Sequence, residues 1–226
     1  MKRFWKEVAT TAQGGLLLDG RPVRTPGRAP LALPTPALTQ AVAAEWCAVG
    51  DTLDPRAMPL TGLANAAIDR ITPDRQAFAA GLARFGESDL LCYRAEEPDL
   101  AARQAAAWDP VIAWVQRRYD FGVEVTAGIV HRAQPSATVT RLNEATAALD
   151  AWTLAPLSPI VTITGSLLLA LALVEDAVST NQAWTAAHVD EDWQAEQWGE
   201  DYLAVETRTH RRAEFDAAVN FLRLAA

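Results

Sequence analysis

Residues 16–38 read LLLDGRPVRTPGRAPLALPTPAL, and within them the chain passes from one kind of structure to another. Asp19-Gly20 stands between the short runs Leu16–Leu18 and Pro22–Thr25. An Asp-Gly pair in that place is a favoured two-residue hairpin turn, because both central residues take positive φ. Pro26-Gly27 sets off the next run, Leu31–Leu33, and Gly14-Gly15 sets off an earlier one, Arg3–Thr10. The pattern predicts an antiparallel meander of four short strands. Such strands are marginal alone and need a helix on one face. The following residues supply it, with Thr35 as N-cap, Pro36 at the first helical position, Leu38, Val42 and Trp46 at spacings of four, and Gly50 as the close.

Beyond this point the pattern is helical. Residues 59–71 (PLTGLANAAIDRI) predict one helix, and Thr72-Pro73-Asp74 the cap and first turn of another, with Phe78, Leu82 and Phe85 facing inward. Residues 99–119 place Leu100, Trp108, Ile112 and Val115 on a stripe of period near 3.6, the mark of a long amphipathic helix. Residues 121–130 read as extended or irregular, and Ser136 as the cap of a helix to about Asp150. The stretch 151–174 holds no charged side chain and ends in GSLLLALALV. Its apolar part, Ile160 to Val174, falls short of the roughly 20 residues a bilayer helix needs, so it predicts a buried core helix and no membrane insertion. Pro156 and Pro159 leave the start of that helix open. A last polar and aromatic helical region runs from Asn181 to Leu224. The fold class is therefore α+β: a small N-terminal antiparallel β meander with helices, residues 1–72, followed by an all-helical C-terminal domain, residues 73–226.

Composition bounds the function. The 226 residues are 50% hydrophobic and 21% charged, which excludes disordered and fibrous classes. The net charge of -8 argues against nucleic acid or an anionic membrane as partner. Residues 142–207 contain eleven acids and no Lys or Arg, leaving 17 acids against 20 bases elsewhere, so the acidity belongs to one segment. Cys47 and Cys92 have no CxxC spacing and suggest neither a disulfide framework nor a zinc site. The basic N-terminus, MKRFWKEV, lacks the apolar region of an export signal.

Catalytic patterns are scarce. There is no phosphate-cradling glycine loop and no G-x-S-x-G, and Ser166 sits in the apolar run, where a hydroxyl more often bonds back to the helix. His131 and His210 read as surface residues. His188, Asp192, Glu196 and Glu200 recur every four residues and would share one face of a continuous helix. Two readings stay open for this stripe. It can be a solvated acidic face awaiting a basic partner, each like-charge neighbour costing the helix about 0.2 to 0.5 kcal/mol. It can also be the ligand set of a metal-assisted hydrolase, with His188, Asp192 and Glu196 as ligands. Trp184, Trp193 and Trp198 lie in the same region, and tryptophan is enriched at interfaces.

Several stretches resemble the ATP12 family of F1 ATP synthase assembly chaperones: RFWKEV (3–8), LDGRPVRTP (18–26), AAEW (43–46), MPLTGLANAAIDR (58–70), DLLCYRAEEP (89–98), WDPVIAWVQRRY (108–119) and DEDWQAEQWGED (190–201). The resemblance implies an N-terminal α+β domain before a helical one, no catalytic activity, no cofactor and no bound metal. It also implies binding of the free α subunit of the F1 sector until that subunit pairs with β. The family's acidic, tryptophan-containing motif falls on Glu191, Gln194, Trp198 and Gly199. It points first to Glu191, with Glu200 as the alternative carboxylate. The expected partner surface is then Glu191, Asp192, Glu196, Trp198 and Glu200. Trp46 is expected to anchor the first helix to the sheet. Members of the family occur in mitochondria and in related bacteria; with no transit segment and 18 of the 20 basic residues arginines, a bacterial cytoplasmic protein is expected, or a mitochondrial matrix protein trimmed to its mature form, and a monomer is expected. A scaffold for some other complex is the remaining reading.

Overall fold

The structure is a computed structural model and describes residues 2–226. The chain divides into two compact units. The first holds the described residues up to Arg75 together with Asp150–Leu157 and Ala217–Ala226, and the second holds Gln76–Leu149 and Ser158–Asp216.

In the first unit, β1 (Val8–Thr10), β2 (Leu16–Leu18) and β3 (Arg21–Pro22) form an antiparallel sheet in the order β1-β2-β3, with Val8 opposite Leu18 and Leu18 opposite Arg21. Asp19 and Gly20 take φ of 48° and 75°, the two positive values an Asp-Gly hairpin turn needs. The Asp19 carboxylate also accepts the backbone N–H groups of Lys6 and Glu7 at 3.0 and 2.9 Å, and these bonds lower its pKa. The predicted fourth run, Leu31–Leu33, forms no strand. Its neighbourhood is held only by single bridges, Gly15 to Ala32 and Arg24 to Pro30, while Leu31 and Leu33 turn into the core.

Helix α1 (Pro36–Ala48) starts as its sequence dictates, the Thr35 hydroxyl accepting Leu38 N–H at 3.1 Å and donating to the Leu224 carbonyl. It ends at Ala48 with Val49 as its C-cap, and Gly50, the close suggested by the sequence, follows directly without a positive φ. Leu38 and Val42 are fully buried against Leu16, Leu18, Val23, Leu31 and Phe221. Trp46 stands 5.2 Å from Trp5, which is itself buried at the edge of this core. Helix α2 (Pro59–Ala66) widens into a π turn at Ala67–Ile71. A 3-10 turn, Thr72–Asp74, leads on to α3 (Arg75–Ala83). Thr72 is helical and its hydroxyl donates to the Ala67 carbonyl, so it does not cap a new helix. Of the three residues expected to face inward, Leu82 is buried, Phe78 is half-buried and Phe85 is exposed, because the chain tightens into a 3-10 turn at Arg84–Glu87.

The second unit is built on α4 (Pro98–Tyr119), whose buried stripe Trp108, Val111, Ile112 and Val115 agrees with the sequence period. Tyr93–Arg94 (β4) and Thr126–Ala127 (β5) add a two-residue parallel ladder that the helical pattern did not reveal. Helix α5 (Ser136–Ala147) begins after Pro135, and Ser136 is its first residue without a capping bond. The uncharged stretch forms two helices, α6 (Ala151–Thr164) and α7 (Leu167–Val174), where a single core helix was expected. Gly165, at φ +66°, breaks them apart, and Ser166 caps α7 by accepting Leu169 N–H at 3.0 Å. Asp150 starts α6, accepting Thr153 N–H at 2.8 Å, and both prolines lie inside that helix. Asp89 is fully buried and its carboxylate accepts Leu168 N–H at 3.0 Å and Leu91 N–H at 3.1 Å. Among the described residues no helix is long and apolar enough to cross a membrane. The last helical region is broken into α8 (Thr180–Ala187), α9 (Val189–Trp198) and α10 (Tyr202–Ala225).

Candidate docking site at the turn between α9 and α10

Ser179 and Gln182 form a reciprocal capping box that starts α8. His188 ends it and is the joint to α9. Its ring is buried and stacks on Trp184 with centroids 3.8 Å apart, and Nδ1 lies 2.8 Å from the Trp184 carbonyl oxygen, where it can only donate. Burial lowers the His188 pKa against the opposing pull of that carbonyl and of Glu191, whose carboxylate is 3.8 Å from Nε2.

Three acids, Asp190, Glu191 and Asp192, occupy the first turn of α9, where the exposed N–H groups and the helix dipole favour negative charge. Each has a partner. Gln104 donates to Asp190 at 2.6 Å, Arg211 approaches Glu191 at 3.7 Å, and Arg208 pairs with Asp192 at 2.6 Å. One turn on, Glu196 pairs with Arg103 at 2.7 Å, and that guanidinium also lies over the Trp193 ring, 4.6 Å from its centroid. Arginines from α4 and α10 thus remove the like-charge cost that the sequence assigned to the stripe.

The chain turns sharply after Trp198. Gly199 has φ 85° and ψ 170°, a region open essentially to glycine alone, and it ends α9. Glu200 therefore lies beyond the helix, off the face it was expected to share with His188, Asp192 and Glu196. Asp201 accepts Ala204 N–H at 3.3 Å and starts α10. Around this turn large apolar side chains stand in solvent: Trp198 and Tyr202 are each 78% exposed and Leu203 66%. Below them is an open groove of about 530 Å³ lined by Glu191, Gln194, Trp198, Leu203, Arg208 and Arg211.

Of the five residues expected to form the partner surface, Glu191, Trp198 and Glu200 line this groove, as do Gln194 and Gly199. Asp192 and Glu196 point to their own arginines. The hydrolase reading loses its geometry: His188 faces Trp184, Asp192 faces Arg208 and Glu196 faces Arg103, and no group of three or more candidate ligands converges among the described residues. Tyr202, Leu203, Arg208 and Arg211 were not singled out in the sequence. The signal available for the first two was a glycine followed by Glu-Asp and then Tyr-Leu, a turn that carries large side chains to its outer side.

The profile of the ATP12 chaperone protein family matches residues 2–116. The crystal structure of Atp12 from Paracoccus denitrificans superposes with a TM-score of 0.92 at 39% identity, covering 100% of this chain and 98% of that one. An aspartate-to-lysine mutant of the P. denitrificans protein superposes with a TM-score of 0.93, with the same identity and coverage. Protein atp12, mitochondrial, of Schizosaccharomyces pombe is 26% identical over 216 residues, 88% of this chain and 74% of that protein.

Proposed function

The chain belongs to the ATP12 chaperone family, and on that premise we propose that it serves assembly of the F1 sector of ATP synthase by holding the free α subunit until it pairs with β. A chaperone family is a family of non-enzymes, which accords with a site built of apolar side chains and paired charges. The observation that carries the reading is the cluster of Trp198, Tyr202 and Leu203 at the α9–α10 turn, beside Glu200 and Asp201. Large exposed apolar residues in one place mark a surface that a partner covers, and aromatic side chains dominate the energetics of such contacts. Among the described residues no ion pair engages Glu200 or Asp201, so the two acids can meet basic groups on the bound subunit.

The test is co-expression of the F1 α subunit with the wild-type chain, with Trp198→Ala/Leu203→Ala and with Glu200→Lys, scoring soluble α subunit. Both variants change exposed side chains and are expected to melt with the wild type, while the soluble α subunit falls severalfold. Equal recovery with all three chains would place the contact elsewhere. Affinity capture that brings down a different complex and no α subunit would favour the scaffold reading.

A further inference from the structure

A second charged surface lies in the first unit, on the turn that follows β3. The Arg28 N–H donates to the Thr25 carbonyl at 2.8 Å, and Arg28 itself takes φ +68°, a left-handed conformation that costs any residue with a Cβ. Glycine is the residue that relieves this strain, and a glycine stands one position earlier. It cannot be exchanged with Arg28, because a Cβ on Gly27 would come within 2.6 to 2.9 Å of the Asp69 carboxylate. That carboxylate holds the turn from the π turn at Ala67–Ile71, accepting the Thr25 hydroxyl at 2.6 Å and Gly27 N–H at 2.7 Å. Thr25 Oγ1 in turn accepts Ala29 N–H at 3.1 Å. The result is a clamped turn with an arginine at its strained position.

The Asp69 carboxylate offsets only one of the three positive charges at this turn, those of Arg24, Arg28 and Arg70. Arg24 directs one guanidinium nitrogen to the Arg28 carbonyl oxygen at 2.8 Å, which leaves its other donors outward. Arg24, Arg28 and Arg70 are all exposed, and among the described residues no carboxylate pairs with any of them. In the second unit seven of the ten arginines, Arg94, Arg103, Arg118, Arg141, Arg208, Arg211 and Arg212, have a carboxylate partner, while Arg84, Arg117 and Arg132 lie far apart in the chain and have none among the described residues. Strain retained at a clamped turn, with unpaired guanidinium forks projecting from it, fits a binding role better than a packing role.

We propose that the Arg24–Arg28 turn docks an acidic segment of a client polypeptide, its carboxylates taken up by the two guanidinium groups. The planar forks match carboxylates in two-bond geometry. A net charge of -8 on the whole chain opposes extended polyanions such as nucleic acid or a lipid surface, so a short acidic peptide is the occupant with complementary charge. The inference stands whether or not the α9–α10 turn takes the F1 α subunit.

The probe is a fluorescein-labelled hexaglutamate peptide titrated by anisotropy with the full chain, beside hexaserine and anionic phosphatidylserine vesicles. Hexaglutamate is expected to bind, and to weaken about tenfold or more between about 0.02 and 0.2 M salt. Arg24→Gln/Arg28→Asn should weaken it about tenfold at low salt. Asparagine tolerates the left-handed conformation, so this variant is expected to keep or slightly raise the melting temperature. Retained affinity in a folded double variant would overturn the proposal, as would equal binding of hexaserine, or sedimentation with vesicles in the absence of peptide binding.

Discussion

Asp89 offers a prediction whose sign runs against intuition. Its carboxylate caps both a 3-10 turn, Leu90–Cys92, and the buried start of α7, through the Leu91 and Leu168 N–H groups, and it is fully buried. Burial outweighs these bonds and raises its pKa from the ordinary 3.8 to about 6. A carboxyl group raised in this way holds its proton more tightly folded than unfolded, so its contribution to stability is fully present below pH 3.8 and declines as pH rises toward 6. The whole interval corresponds to about 3 kcal/mol, of which about 2 kcal/mol falls between about pH 4.5 and about pH 7.5. Asp89→Asn does not titrate, but its amide has one acceptor oxygen and an NH2 group that only donates, so it keeps one of the two backbone N–H bonds and leaves the other N–H without an acceptor. The variant should therefore lie about 1 to 3 kcal/mol below the wild type near pH 4.5, the cost of the N–H left unpaired, and gain on it by about 2 kcal/mol by pH 7.5. Urea unfolding followed by tryptophan fluorescence at a series of pH values reads the difference. If the variant instead loses ground as pH rises, the N–H groups outweigh burial and the account of this cap is wrong.

Burial lowers the His188 pKa, so the wild type should lose stability as pH falls below 6.5, and His188→Phe should flatten that limb of the curve in the same unfolding series. Gly165→Ala should cost about 1 to 2 kcal/mol, read as a lower melting temperature, because the new Cβ meets only Leu90 Cβ at an ordinary 3.7 Å and the penalty is that of φ +66° alone. Asp192→Asn and Glu196→Gln remove exposed ion pairs and should each change stability by less than about 1 kcal/mol in thermal melts; a loss above about 2 kcal/mol in either would mean the pair is structural.

The parts of the fold legible in the sequence are those governed by neighbours in the chain. Asp19-Gly20 forms its turn, Thr35 caps α1, and the period of Trp108, Ile112 and Val115 marks the inner face of α4. The misreadings come from longer range. Gly165 breaks an apolar run because the buried Asp89, distant in sequence, receives the new helix start. The acidic stripe was read on a continuous helix, and Gly199 ended that continuity. The arginines that neutralise Glu191, Asp192 and Glu196 come from α4 and α10, which no local spacing discloses. The proposed docking site is legible in its glutamate and tryptophan but not in Tyr202 and Leu203, whose exposure depends on how the turn projects them.

The pairing of acids with arginines on α9 separates what a client senses at a distance from what it meets at contact. The second unit carries 20 of the 28 acids and half of the 20 bases, so its far field is strongly negative. At the α9–α10 turn itself the large exposed side chains are Trp198, Tyr202 and Leu203, with Glu200 and Asp201 between them. Charge governs how fast complexes form and is screened beyond about 8 Å at physiological salt, whereas buried apolar contact governs how slowly they part. Added salt should slow the arrival of a basic client at this turn and leave its residence time nearly unchanged.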